Sequence, residues 1–386
     1  MKHSNSIFNQ LLKFIPRHTF QKVVDRHSGD YRTRTLSCWD QLVVLLFAQL
    51  NSQTSLRAIE TTFNSQRSKL YHLGSRHISR SSLSDANGNR PTEIFSETFY
   101  YLLNKVREKL PKIDANQMIR LIDSTTIDLN FNQFKWATFR SRKAGIKLHT
   151  VYDPNAAVPV YFSLTEAKTN DAKELNNLPM MSNTTYVVDR AYNNYSWFYS
   201  LDQDNSKFVG RMKTNTCYQV KTTKRPVGEG IVADEIIRLS SAKGKKHCPI
   251  DLRRVTFVRA EDQKELVFIT NDLSRSAVEI AALYKQRWEI ELFFKWIKQN
   301  LKIKRFISQN RNGVMIQVLV ALISYLLLKL TQLTYLSKQT LYQICLIIGV
   351  NLMERRDIME LLNPCSERLK PDKNSVEHRQ YDLLNA

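Results

Sequence analysis

Hydrophobic and polar positions follow a helical period through residues 1–112, where runs of β-branched residues are few. The segment Ser37-Cys38-Trp39-Asp40 has the form of a capping box and predicts the start of an apolar helix, WDQLVVLLFAQL. A polar turn at residues 51–54 and a second helix, SLRAIETTF, follow. This spacing is typical of a helix-turn-helix unit and equally of an ordinary helical subdomain. We therefore expect an all-α N-terminal domain.

The pattern changes to strands near residue 115. Three consecutive runs, at residues 118–127, 145–152 and 159–165, alternate or are β-branched, and a Pro-Asn turn separates the last two. They predict an antiparallel meander. A strand at 184–189, a helix from Asn194 and a strand at 207–212 then predict a parallel crossover. The class is α/β, a mixed sheet flanked by helices.

Short strands separated by Gly, Pro and Lys fill residues 213–272, and helices follow from about residue 274. We interpret the short strands as a β-rich insertion. The α/β domain is accordingly predicted to span residues 113–365, with a polar C-terminal tail at 366–386. One apolar run, Val314 to Leu328, is shorter than the roughly 20 residues that a bilayer requires, so a buried helix is expected.

The helix predicted over residues 284–298 has an unusual polar stripe. Its apolar side repeats at core-facing spacing, at Leu283, Ile290, Phe294, Ile297 and Leu301. Polar side chains lie three, four and seven positions apart along the margin of that side, at Tyr284, Arg287, Glu291 and Lys298. A carboxylate flanked by cations and a hydroxyl on one helix indicates a site that binds phosphate groups.

Two further acids each follow an apolar run. Asp123 comes after MIRLI and Asp189 after TTYVV, so each is predicted to end a strand. Burying a carboxylate there is costly without a compensating cation or hydrogen bond. Either acid alone is explained by capping of the next turn. With Glu291 on a helix packed nearby, the three together indicate a metal site.

The net charge of the chain indicates which class of partner it binds. Its 386 residues include 57 Lys and Arg against 36 Asp and Glu, a formal charge of +21. Such an excess is typical of proteins that bind DNA or RNA. Basic residues are dense in the second half of the helical N-terminal domain: Arg57, Arg67, Lys69, Arg76, Arg80 and Arg90. We interpret this domain as DNA-binding. The alternative, a solvated face that binds nothing, is as common for such a run.

Other functional classes are not indicated. The five cysteines are scattered, with no C-x-x-C pair, so neither a zinc site nor a disulfide framework is expected. The N-terminal segment has no apolar stretch of signal-peptide length. We expect a cytoplasmic protein with no membrane partner.

Asp123 within IDSTTI, Asp189 within VVDRAY, and the spacing of Tyr284, Arg287, Glu291 and Lys298 resemble the DDE transposases of bacterial insertion sequences. More narrowly, the chain resembles their Y-R-E-K signature group, the IS-four family. The resemblance implies an RNase H-like catalytic domain with a β-rich insertion. It implies cut-and-paste transposition, in which the enzyme cleaves the ends of the element and transfers the 3′-hydroxyl into target DNA.

The resemblance also implies the roles of the site residues. Asp123, Asp189 and Glu291 would be the catalytic metal ligands for two Mg²⁺ ions, with Asp123 bridging them and Mn²⁺ able to substitute. The partners would be double-stranded DNA, both as terminal inverted repeats and as target, and a second copy of the chain in a homodimeric synaptic complex.

Tyr284, Arg287 and Lys298 have side chains suited to DNA phosphates, Arg287 in a bidentate way and Lys298 as a point charge. The alternative for these three is a surface ladder of ion pairs with Glu291. For Lys147, His149 and Arg190, which lie near the acids in the chain, a structural role is at least as well supported.

No tryptophan lies within residues 213–272, where some relatives stack a flipped base, so a hairpin intermediate is in doubt. Trp288 is expected either against DNA or in the core. Two other functions remain open from the sequence: an RNase H-like nuclease without strand transfer, and a transposase-derived DNA-binding protein without catalysis.

Overall fold

The computed structural model describes residues 5–363 except 112–117, 302 and 304–305, and of Arg140 it describes only the backbone. The predicted tail at 366–386 lies outside the described residues. The N-terminal region is helical, as predicted, and its helices are α1 Ile7–Leu12, α2 Arg17–Arg26, α3 Cys38–Leu50, α4 Leu56–Asn64, α5 Arg67–Leu70, α6 Arg80–Asn89 and α7 Glu93–Glu108.

The capping box predicted at Ser37 is confirmed. The Ser37 hydroxyl accepts a hydrogen bond from the backbone N–H of Asp40, and the Asp40 carboxylate accepts one from the backbone N–H of Ser37. This exchange satisfies two amides that the first turn of a helix leaves unpaired. Helix α3 begins there and is buried along almost its whole length, which makes it a core element of the N-terminal region.

One mixed sheet carries the rest of the fold. Its strands are β1 Met118–Leu129, β2 Thr138–Arg140, β3 Lys143–Asp153, β4 Val158–Glu166, β5 Thr184–Val188, β6 Lys207–Arg211, β7 Tyr218–Lys224, β8 Ile231–Leu239, β9 Leu252–Val258 and β10 Glu265–Thr270. β1 pairs antiparallel with β3, β3 with β4, and both β5 and β6 run parallel to β1. The central order β4-β3-β1-β5-β6 is that of an RNase H-like core, which confirms the predicted fold class.

The four strands predicted within residues 213–272 are present as β7 to β10. They continue the central sheet, because β10 pairs antiparallel with β6 and the order runs on through β9 and β8 to β7. Without β10 the edge of β6 would expose unpaired backbone groups, and pairing satisfies them. The insertion is thereby joined by backbone hydrogen bonds to the strands that follow Asp189.

The remaining helices are α8 Asp171–Glu174, α9 Tyr195–Gln203, α10 Ala242–His247, α11 Ala277–Gln286, α12 Trp288–Asn300, α13 Arg311–Thr334, α14 Leu341–Asn351 and α15 Ile358–Leu362. Helices α11 and α12 pack on one face of the sheet, and α9 packs on the other against β6 and α10.

Helix α13 corrects the length inferred from the sequence. It has 24 residues and is the one described helix long and apolar enough, by length and composition, to cross a bilayer. Within the protein, however, 83% of its most apolar stretch is buried, mainly against α7, α3 and α6. The prediction of a buried helix is confirmed by this packing, whereas the argument from length was wrong.

A single hydrophobic cluster joins the N-terminal helices, α12 to α14 and one face of the sheet. Backbone bonds also tie the two ends together, from the amides of Ile7 and Phe8 to the carbonyls of Glu354 and Leu352. The domain boundary near residue 112 stays a prediction, because helices from both sides of it share this core.

Candidate active site

Asp123 and Asp189 lie side by side at the end of a parallel strand pair. The last partners of β1 and β5 are Ile122 and Val188, and each acid is the next residue of its chain. Asp189 follows β5, as predicted. The strand predicted at 118–127 is confirmed as β1, which continues to Leu129 by pairing with β3, so the further prediction that Asp123 ends its strand was wrong. Asp123 is therefore held by an antiparallel neighbour on one side and is open on the other.

The polar stripe lies on two helices, and the prediction of one continuous helix was wrong. Arg287 ends α11 and precedes α12. Around it, the amide of Arg287 bonds to the carbonyl of Tyr284 at 3.1 Å, and the amide of Ile290 bonds to the carbonyl of Arg287 at 3.3 Å. Both bonds span three residues, the tighter 3₁₀ spacing that interrupts an α-helix. The side chain of Arg287 thus projects from a junction between helices.

Side chains of the polar stripe nevertheless contact both Asp123 and Asp189. The Arg287 guanidinium bridges two carboxylates, with Nη1 3.1 Å from Asp123 Oδ2 and Nη2 2.6 Å from Glu291 Oε1. The Tyr284 hydroxyl donates to Asp189 Oδ1 at 3.1 Å. The Arg287 guanidinium also lies 5.6 Å from the centre of the Tyr284 ring. Three acids that are far apart in the chain are thereby linked through two neighbouring side chains.

Lys298 fastens α12 to the strand of Asp123. Its Nζ donates to the Thr125 hydroxyl and, at 2.8 Å, to the Thr126 carbonyl. Of the ladder of ion pairs considered as an alternative, the pair of Arg287 and Glu291, four residues apart, is present. That pair is only part of the arrangement, because Arg287 also reaches Asp123 on the sheet.

Burial sets the electrostatics of the site. Burial raises the pKa of Asp123 to about 6. The positive charge of Arg287 and the hydrogen bond from the Ser124 amide lower this pKa, whereas the negative charges of Asp189 and Glu291 raise it further. Burial also raises the pKa of Tyr284 to about 12, which keeps its hydroxyl protonated as a donor at neutral pH. The Asp123 and Arg287 side chains are 17% and 16% exposed, and that of Glu291 is 34% exposed.

The donor set suits a hard divalent cation. Carboxylate oxygens are the ligands that Mg²⁺ and Mn²⁺ prefer, and the charges of Asp189 and Glu291 both act on Asp123. In the part of the chain that the structure describes, no three His, Cys, Asp or Glu side chains are already grouped closely enough to hold an ion. Between Asp123 and Glu291, the Arg287 guanidinium takes up the space.

A second polar group lies on the opposite face of β1, and two of its members, Ser124 and Asp171, were not predicted from the sequence. Ser124 donates to Asp171 at 2.7 Å, and the Lys147 ammonium lies 3.2 Å from the same carboxylate. His149 is fully buried between the Tyr192 hydroxyl and Thr165. Alternating side chains place Ser124 and Asp123 on different faces. Lys147 and His149 thus support the strand from behind, and an acid opening a short helix gave little sequence signal for Asp171.

Two residues flanking the site differ in their surroundings. Arg190 begins a short 3₁₀ turn directly after Asp189, and its Nε is buried without a hydrogen-bond partner. Trp288 is 59% exposed. Its indole therefore does not belong to the core, and the alternative of core packing was wrong for this residue.

Only some of the basic side chains of the N-terminal region are exposed to solvent. The side chains of Arg57, Arg67, Arg76 and Arg80 are exposed, and Lys69 is half-buried. Arg90 corrects the prediction, because it is buried and donates to the Leu36 carbonyl and the Gln41 side chain. It joins the end of α6 to α3 and is not available to a ligand.

Comparison with known proteins identifies relatives of the whole chain. Residues 114–327 match the family described as Transposase DDE domain, and residues 3–76 match a domain of unknown function, DUF4372. The chain is 40% identical over 288 residues to the transposase y4zB of Sinorhizobium fredii, covering 73% of this chain and 80% of that protein. It is 26% identical over 337 residues to a transposase for insertion sequence element IS5377 of Geobacillus stearothermophilus, covering 85% of each.

Two further similarities are more distant. A transposase for insertion sequence element IS4SA of Synechocystis is 26% identical over 289 residues, covering 72% of this chain and 77% of that protein. Among solved structures, a piggyBac transposase synaptic complex with hairpin DNA has a TM-score of 0.46 and 10% identity, covering 91% of this chain and 80% of that one. A TM-score below 0.5 does not establish a shared fold, so the family assignment rests on the sequence relatives.

Proposed function

The chain belongs to the family of DDE transposases, and we propose that Asp123, Asp189 and Glu291 are the carboxylates with which it cleaves and joins DNA. Enzymes of this family act on DNA and depend on a metal. The observation that carries the proposal is the convergence of the three acids on two neighbouring side chains: Arg287 contacts Asp123 and Glu291, and Tyr284 contacts Asp189. The reaction is cleavage at the ends of an insertion sequence followed by transfer of the freed 3′-hydroxyl into target DNA.

The three carboxylates would hold Mg²⁺, as two ions, with Mn²⁺ able to substitute. When bound, the ions supply the Lewis-acid stabilisation and activated oxygen that displacement at phosphorus requires. Asp123 is the shared ligand in this proposal, because its charge interacts with those of both Asp189 and Glu291. Its raised pKa means that ligation also requires the loss of a proton from Asp123 near or below neutral pH.

The residues around the acids have DNA-holding roles in this proposal. Arg287 would bind a phosphate in a bidentate way, and the Tyr284 hydroxyl would donate to another phosphate oxygen. Lys298 would contribute positive charge beside β1 while it keeps α12 in place. The exposed indole of Trp288 offers a stacking surface next to Arg287, in place of a tryptophan from the insertion.

The proposal also includes the binding partners of the whole chain. The N-terminal helical region would bind terminal inverted repeats, supported by the exposed cations Arg57, Arg67, Arg76 and Arg80. The Y-R-E-K signature spacing favours the IS-four family, and a homodimer would pair the two element ends. Short inverted repeats in the DNA that flanks the gene would identify the recognised sequence.

A strand-transfer assay on linear DNA that carries the element ends tests the assignment. We expect Asp123→Asn and Glu291→Gln each to lower strand transfer by at least about 1,000-fold, because each removes a carboxylate on which the chemistry depends. The matched control is Asp262→Asn, which removes an acid from the exposed hairpin between β9 and β10 and should leave the rate unchanged.

The alternatives give different products in the same assay. Cleavage without joining by the wild-type protein would indicate an RNase H-like nuclease. DNA binding with no metal-dependent reaction would indicate a non-catalytic derivative. Full activity in Asp123→Asn would contradict the assignment of the site.

A further inference from the structure

Arg287 occupies the place in the site where a cation is needed. Its guanidinium contacts Asp123 Oδ2 at 3.1 Å and Glu291 Oε1 at 2.6 Å, so one positive group spans two proposed metal ligands. We propose that Arg287 is an internal counter-ion, which holds these two carboxylates together in the metal-free protein and leaves them when a divalent ion binds. This inference rests on the proposed function, because it assumes that Asp123 and Glu291 are metal ligands.

Mutual repulsion explains why the site needs such a group. At the roughly 4–6 Å that separates groups in a shared site, like charges destabilise one another more strongly as water is excluded. The Asp123 side chain is only 17% exposed, and the charges of both Asp189 and Glu291 act on it. Without a cation between them, the strand and α12 would be pushed apart. Arg287 thus keeps the ligands near their working positions before any ion arrives.

The hydrogen bonding of Arg287 is incomplete. Its Nε is buried and has no hydrogen-bond partner. Arg253, in the same sheet, shows the other case: its Nε and Nη2 bond to Asp234 at 2.8 and 2.7 Å, and its Nη1 bonds to the Arg275 carbonyl. Buried donors are normally satisfied in a permanent arrangement. The unpaired Nε leaves Arg287 held by fewer hydrogen bonds than Arg253.

Arg287 and a divalent ion would compete for the same carboxylate oxygens. Asp123 Oδ2 and Glu291 Oε1, which Arg287 now contacts, are oxygens of the kind that a divalent ion ligates. A guanidinium and a metal ion cannot both stand between them, so metal binding must displace the arginine. The released guanidinium, on the junction of α11 and α12, then becomes available to a DNA phosphate, for which its planar fork is suited.

Arg287 consequently couples two binding events. Metal binding frees the arginine for DNA, and DNA binding draws the arginine away from the metal ligands. Such coupling is reciprocal, so each ligand should raise the affinity of the other by the same factor. The same residue thus prevents tight metal binding by a protein that has no DNA.

A titration of DNA-free protein with Mn²⁺, followed by electron paramagnetic resonance, tests the competition directly. We expect Arg287→Gln to bind Mn²⁺ roughly fivefold or more tightly than the wild type, a factor at the lower end of typical coupling between sites. Arg287→Lys, which keeps the charge but cannot bridge two carboxylates in the same way, should lie between them. Unchanged or weaker Mn²⁺ binding in Arg287→Gln would overturn the proposal.

The matched control is Arg254→Gln. Arg254 pairs with Glu235 at 2.8 Å, and the two side chains are 17% and 18% exposed, close to the values for Arg287 and Asp123. This control removes an ion pair of similar burial from the sheet and should leave Mn²⁺ affinity unchanged. If it tightened Mn²⁺ binding as much as Arg287→Gln, the effect would be one of net charge, and the proposal would be wrong.

A second measurement keeps the test valid if Arg287→Gln folds poorly. In the wild type, Ca²⁺ should raise the affinity for a short duplex, measured by fluorescence anisotropy, and Arg287→Lys should reduce that increase. An equal increase in both proteins would overturn the coupling. Asp123→Asn separates this inference from the proposed function: Mn²⁺ binding that survives in Asp123→Asn refutes the metal site itself, whereas its loss, together with unchanged binding in Arg287→Gln, refutes only the role of Arg287.

Discussion

At the scale of single residues, Asp123 is an acid whose pKa is strongly raised by its surroundings. It is buried beside a cation and two other carboxylates, and burial outweighs Arg287, so its pKa is raised from 3.8 to about 6. A carboxyl group with this property is poised to exchange a proton for a metal ion. Its ionisation in the metal-free protein also costs stability.

The stability of Asp123→Asn should therefore depend on pH differently from that of the wild type. Because the folded pKa lies above the unfolded one, protonated Asp123 contributes stability that is fully present below about pH 4 and is lost as the pH rises through about 6. The free energy of unfolding of Asp123→Asn relative to the wild type should rise by up to about 3 kcal/mol between pH 4 and pH 7. Urea titrations in the presence of EDTA would measure it.

Only the pH-dependent part of that difference is informative, since the substitution also changes the contact with Arg287. Profiles that run parallel from pH 4 to pH 7 would contradict the raised pKa. A difference that falls with rising pH would mean that Arg287 outweighs burial.

At the scale of elements, the site depends on how three pieces meet. β1 is held by β3 and β5, α11 and α12 join at Arg287, and Lys298 ties α12 to β1 through the Thr126 carbonyl. Behind α12, the long helix α13 fills the core shared by the sheet and the N-terminal helices. The position of Glu291 relative to the two aspartates therefore rests on the packing of α13.

Leu326→Ala in α13 should lower the free energy of unfolding by about 2–5 kcal/mol, because it leaves a cavity at a fully buried position. The control is Leu346→Ala in α14, where the side chain is 51% exposed and the change should stay within about 0.5 kcal/mol. Chemical denaturation of both variants measures the difference. Equal effects at the two sites would mean that α13 is not the core helix described above.

At the scale of the whole molecule, the formal charge of +21 has a local concentration in the insertion. Helix α10 carries Lys243, Lys245 and Lys246, all exposed. It borders a cavity of about 590 Å³, which Lys213 and His247 also line, and none of its described lining residues is acidic. The cavity reaches Asn193, four residues after Asp189, so this basic surface adjoins the strand end that carries Asp189.

Replacing all three α10 lysines by alanine should weaken DNA binding and reduce its salt dependence. Each phosphate contact contributes about 0.9 to the slope of log affinity against log salt concentration, so the slope should fall by about 2 to 3 if all three contact DNA. Anisotropy titrations at several salt concentrations measure it. The thermal midpoint should not change, since the side chains are exposed, and an unchanged slope would place DNA elsewhere.

The sequence by itself determined the order of elements and the mixed α/β class, and it indicated the candidate site residues. Period and capping signals report which positions are buried and where helices begin, and these are local properties. The strand that precedes Asp189, the capping box at Ser37 and the four strands of the insertion were all predictable for this reason.

The tertiary structure decided which partner each residue meets. The neighbours of Asp123 depend on β3 and β5, the burial of Arg90 depends on α3, and the break at Arg287 coincides with its contacts to two acids. The support of Asp171 behind the strand likewise needs residues that are distant in the chain. Hydrogen bonds, ion pairs and desolvation act between such distant residues. The hydrophobic period of the sequence therefore could not predict that Arg287 lies between the carboxylates of Asp123 and Glu291.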